Sequence, residues 1–176
     1  MSRLAWASPF ILAAVLAYAF VATNASAAPD VREAKLSRIA SQLLRRDVLV
    51  TTHQFGCPGR VRGCTDMTAG EAFEFEDGSL LIQLAPDVSR ALKNPRSIIP
   101  WRYPEASSGD AVFTFAHEIG HLASKNIGEW EEAKADCAAS RTWRRVALRL
   151  GFTRSQLPAL SKQIHGSCWG PTAADL

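Results

Sequence analysis

No internal repeat, low-complexity tract or linker-like stretch interrupts the 176 residues. That excludes a solenoid or a string of modules and leaves one domain large enough to bury a core. Charge of one sign is not in great excess, since 20 Lys and Arg stand against 17 Asp and Glu for a net of +3. The late basic cluster of Arg141, Arg144, Arg145 and Arg149 has no interleaved aromatic pattern and no accompanying nucleic-acid motif. It reads as a solvated helix face, and no nucleic-acid partner is expected.

Cysteine is scarce. The four residues Cys57, Cys64, Cys137 and Cys168 are spaced C-x6-C and C-x30-C, unlike a zinc ribbon. An even count in an exported chain points instead to two disulfides. Sequence permits three pairings. Cys57–Cys64 would close the loop CPGRVRGC, and Cys137–Cys168 would tie the tail to an acidic helix, so this pairing is preferred.

The long apolar run sits at the start. Arg3 is followed by uncharged, apolar Leu4 to Ala22, and Ala25-Ser26-Ala27 supplies an A-x-A cleavage site. Residues 1–27 thus read as a signal peptide and 28–176 as a single domain, periplasmic or extracellular. A membrane enters only if the leader is retained as an anchor.

The pattern along 28–176 is mixed. Asp30 and Glu33 form a capping box for a first helix ending near Arg46, with Leu36, Ile39/Ala40 and Leu43/Leu44 as its apolar stripe. Val48 to Thr52 is a short β-branched strand. Ala72 to Leu84 reads as a hairpin about the two-residue turn Asp77-Gly78. In that register Phe73, Phe75, Leu80, Ile82 and Leu84 share a buried face. Pro86 to Lys93 is a short helix, and another is expected from Thr153 to His165. The fold expected is α+β, a small antiparallel sheet packed against a helical layer.

The chemistry concentrates in AVFTFAHEIGHLA, residues 111–123. His117-Glu118-Ile119-Gly120-His121 is an H-E-x-x-H motif, which on a helix puts two imidazoles one turn apart on nearly one face. They can meet one metal ion. Glu118, about 100° round the helix from His117, lies beside such an ion, where a base acting on metal-held water belongs. Ser107 and Asp110 stand as S-x-x-D before the apolar run, and Val112, Phe115/Ala116, Ile119 and Leu122/Ala123 recur with helical period. Gly120 costs roughly 1 kcal/mol against Ala within a helix, so a close neighbour is expected there. A core helix with two hydrogen-bonded histidines is the plain alternative.

A third ligand is sought in the acidic stretch GEWEEAKAD, residues 128–136. HEIGH followed by Glu132-x-x-Ala135-Asp136 resembles the gluzincin zinc metallopeptidases. The resemblance implies Glu132 as third Zn2+ ligand and Asp136 as the carboxylate that orients a ligand histidine, with Glu118 as the general base. Glu132 and Asp136 are i, i+4 on one helical face, as that pairing needs. The interval of 11 positions from His121 to Glu132 is shorter than usual for gluzincins. It requires a turn through Lys125 to Gly128 into an antiparallel helix, and Glu129 is a rival ligand. The resemblance also implies a peptide or protein substrate held by strand addition, with Ser79 to Ala85 the candidate edge.

His165, brought close by a Cys137–Cys168 bond, and Tyr103 are candidates to stabilise an oxyanion. The preferred reading of both is as ordinary surface residues, and His53 has a weaker case still. The expected activity is zinc-dependent peptide hydrolysis. The competing readings are a non-catalytic, zinc-stabilised and disulfide-stapled binding protein, and a small interaction domain in which the motif is accidental.

Overall fold

The computed structural model describes residues 31–53, 69–100, 106–123, 131–166 and 168. The chain divides into a unit of residues 1–30 and one of residues 31–176, and all described residues belong to the second. The leader, Cys57, Cys64, Tyr103 and Glu129 lie outside them. The fold is α+β. In order come α1 (Val31–Leu44), β1 (Val48–Thr52), β2 (Gly70–Glu74), β3 (Leu80–Leu84), α2 (Pro86–Lys93), α3 (Ser108–Ala123), α4 (Glu131–Leu150), a 3-10 turn (Arg154–Gln156) and α5 (Leu157–Ser161).

α3 is the central element, packing on α1, α2, α4, α5 and on strands β2 and β3. Its sequence explains the position, because Ala111, Val112, Phe113, Phe115, Ala116, Ile119, Gly120 and Leu122 are all buried, leaving little of its circumference for water. Its start follows the S-x-x-D signal. Ser107 Oγ accepts the Asp110 backbone N–H at 3.1 Å and donates to the Asp110 carboxylate at 2.8 Å. α1 ends with Arg45 in the left-handed region (φ 56°). Glu33 accepts the backbone N–H of Thr52 at 2.8 Å, and its expected capping partner Asp30 lies outside the described residues. The expected helix from Thr153 to His165 is shorter than its pattern. A Thr153/Gln156 capping box opens the 3-10 turn, and the helical part stops at Ser161.

The sheet has strand order β1-β3-β2. β2 and β3 form the expected antiparallel hairpin, and β1 adds to the other side of β3 in parallel, so the sheet is mixed. The register differs from the expected one by a residue, pairing Glu74 with Leu80, Phe73 with Leu81 and Ala72 with Ile82. The turn is the reason. Phe75 N–H donates to Ser79 O, and Gly78 N–H to Phe75 O with Gly78 at φ 80°. That makes a three-residue loop, Glu76-Asp77-Gly78, rather than a two-residue one. Asp77 Oδ1 secures it by accepting from the Ser79 N–H and hydroxyl. One extra loop residue moves a whole strand's side chains to the other face. Leu80, Ile82 and Leu84 are buried against the helices, opposite Glu74, Ala72 and Gly70, whereas Phe73 and Phe75 stack on the outer face, 37% and 48% exposed.

Candidate metal centre

Two helices bring the ligand candidates together. α3 presents His117 and His121 one turn apart, and α4 packs against it along its length. The helices approach closely at Gly120, where a Cβ would lie 2.9 Å from Ala135 O and 3.0 Å from Ala138 Cβ. Any side chain there would push α4 away, which answers why a poor helix former sits in the middle of α3. The same approach brings Glu132 and Asp136 of α4 onto the histidines.

His117 Nδ1 lies 2.8 Å from Asp136 Oδ1, so the carboxylate fixes the tautomer with the proton on Nδ1. Nε2 then carries only a lone pair. Yet it faces Glu132 Oε2 at 3.1 Å and His121 Nε2 at 2.9 Å, and His121 Nε2 lies 3.5 Å from Glu132 Oε1. His121 can donate to these neighbours from Nε2 as its own N–H tautomer, and with a metal ion between them all three atoms would instead offer it lone pairs. Zinc bonds of about 2.0–2.1 Å at tetrahedral angles would set ligand atoms roughly 3.3 Å apart, in the range observed. The donor set of two imidazoles and one carboxylate suits zinc. Taken as a group, His117, His121 and Glu132 could hold a metal ion. The histidine side chains are 16% and 13% exposed and Glu132 is 81% exposed, so the cluster opens to solvent on the α4 side.

Glu118 is 4% exposed, in the only acidic side chain among the buried residues described. Burial first, then the nearby charges of Glu132 and Glu71, push its pKa up to about 8. A cation at the cluster would act in the opposite direction. Strand β2 closes over this carboxyl group. A Cβ on Gly70 would fall 2.7 Å from Glu118 Oε1, so only glycine lets the backbone lie there. Sequence reasoning passed over Gly70 and Glu71. The signal was available, since a glycine at a strand position marks a close backbone approach, but its partner was not.

The other candidates go elsewhere. His165 Nδ1 bonds Asp110 Oδ1 at 3.0 Å, seven residues before His117 on α3, about 10 Å along the helix axis. It anchors the tail rather than joining the cluster. Gln163 does the same, accepting from Gly109 N–H and donating to Ile99 O. His53 follows β1, its N–H donating to Leu84 O. Ser79 to Ala85 contains the central strand β3, hydrogen-bonded on both sides, and so cannot receive an added strand; β2 is the strand beside Glu118. Cys137 and Cys168 form the expected disulfide.

No protein family matches this chain, and no curated protein or solved structure matches it either.

Proposed function

We propose that this chain is an exported zinc metallopeptidase. The observation that carries the reading is the meeting of His117, His121 and Glu132 within hydrogen-bonding distance, with Asp136 on the far nitrogen of His117 and a buried Glu118 alongside. Zinc held there would polarise a scissile carbonyl and acidify water. Glu118 would take a proton from that water on its carboxylate and return it to the departing amine. Asp136 would hold the His117 ring in its ligating orientation. An extended peptide would lie along β2, the strand that covers Glu118. The Cys137–Cys168 bond accords with an oxidising compartment.

A non-catalytic zinc-binding protein is the second reading. It is favoured by the position of His165, which is engaged by Asp110 and leaves the cluster without that candidate for oxyanion stabilisation.

One comparison separates them. The wild type and Glu118→Gln are loaded with zinc, assayed for metal content and incubated with a mixed peptide library read by mass spectrometry. The expected result is about one zinc per chain in both proteins and cleavage by the wild type alone. Equal cleavage by both removes Glu118 as the base. Zinc binding without cleavage by either supports the second reading.

A further inference from the structure

We infer that α1 and the second half of α4 form a cationic face that docks on an anionic phospholipid surface. The charges of the chain are segregated. From Cys137 to Gly166 there are six Lys and Arg and no Asp or Glu, so the rest of the chain is net acidic by three. On α4, Arg141, Arg145, Leu148 and Arg149 follow at i, i+4, i+7 and i+8 and are all exposed. On α1, Val31, Arg38, Gln42 and Arg45 follow at i, i+7, i+11 and i+14 and make a second exposed row on one helical face.

Tertiary packing joins the rows. Arg149 Nη1 donates to Gln42 Oε1 at 3.2 Å, and Lys35 Nζ donates to the C-terminal carbonyl of Leu150 at 2.6 Å. Residues more than 100 apart in sequence thus build one surface. The acids of these helices whose side chains are described are directed elsewhere. Glu33 is bonded to Thr52, and Glu132 and Asp136 lie at the opposite end of α4 on the histidine cluster. None of Arg38, Arg45, Arg141 and Arg145 is in an ion pair among the described residues.

The composition of the face decides the kind of partner. Apolar side chains stand among the cations, Leu148 at 40% and Val31 at 84% exposure. Basic residues around exposed aliphatic ones suit the boundary between headgroups and acyl chains. Nucleic acid fits less well. α1 has no aromatic residue, and the one aromatic of α4, Trp143, is buried with Arg144 across its ring, so no stacking platform is offered. The inference is independent of the metal site.

The test is flotation of the full chain with vesicles of phosphatidylcholine alone and of phosphatidylcholine with 30% phosphatidylglycerol. The reading is the excess binding on anionic vesicles, which an apolar leader does not produce. That excess is expected to vanish in 0.5 M NaCl. It should fall about fivefold for each of Arg38→Gln, Arg141→Gln and Arg145→Gln, and stay unchanged in Arg90→Gln, which lies on α2. The salt series on the wild type does not depend on any variant folding. Equal binding to both vesicle types overturns the proposal, as does an equal loss in Arg90→Gln. Displacement from the vesicles by an equivalent of a 30-mer DNA duplex also overturns it and points to nucleic acid.

Discussion

Two pairs of neighbouring elements frame the site, α3 with α4 and β2 with β3, and they differ in what a single residue can change. In the helix pair the contact is pinned at Gly120, where backbone meets backbone, and the functional side chains follow from a period that tolerates no other arrangement. In the hairpin the close approach of Gly70 to Glu118 holds β2 in place but does not by itself choose which face of β3 turns inward. The turn decides it, and one loop residue more or fewer exchanges inside for outside. A steric pin is legible as a residue type, whereas a loop length is settled by which face the remainder of the molecule has room for.

That contrast can be broken most directly at the sheet. Ile82→Ala should cost about 2–5 kcal/mol in chemical denaturation, because Ile82 is fully buried. Phe73→Thr should stay within about 0.5 kcal/mol of the wild type, because Phe73 is on the outer face. Comparable losses at both positions would restore the two-residue turn.

The helix pair is sharpened next at Asp136. Asp136→Asn should weaken zinc about 10- to 100-fold in a chelator competition while leaving the melting curve of the metal-free protein close to wild type. Undiminished affinity would mean that the His117 orientation does not depend on that carboxylate.

Gly120→Ala carries a modest effect but the clearest sign. Helix propensity alone stabilises the substitution by roughly 1 kcal/mol. Crowding against Ala135 O and Ala138 should reverse this to a net loss of about 1–2 kcal/mol in thermal denaturation. A stabilised variant would show that α4 is not pressed on α3 at this point.

The site was more legible than the sheet for a physical reason. His117, Glu118 and His121 lie within one helical turn and a half, so their relative directions follow from the helix itself. Glu132 and Asp136 needed only a second helix running back along the first. For His165 the sequence leaves an oxyanion role open beside the preferred reading as an ordinary surface residue, because a pairing inferred from a disulfide does not say where the ring goes. The Cys137–Cys168 bond does draw the tail to α4, but Asp110 then captures the imidazole at the far end of α3. Gly70 and Glu71 approach Glu118 across a sheet whose register sequence does not specify.

What the chain determined by itself is whatever depends on near neighbours: the cap at Ser107, the histidine pair, the acidic face of α4, and the glycine that permits close packing. Each is a matter of period and side-chain size within a few residues. Only the tertiary structure decided which carboxyl group is buried, which hairpin face meets the helices, and that basic rows of α1 and α4 adjoin. Those depend on loop closure and on the competition for one core, where residues far apart in sequence become neighbours.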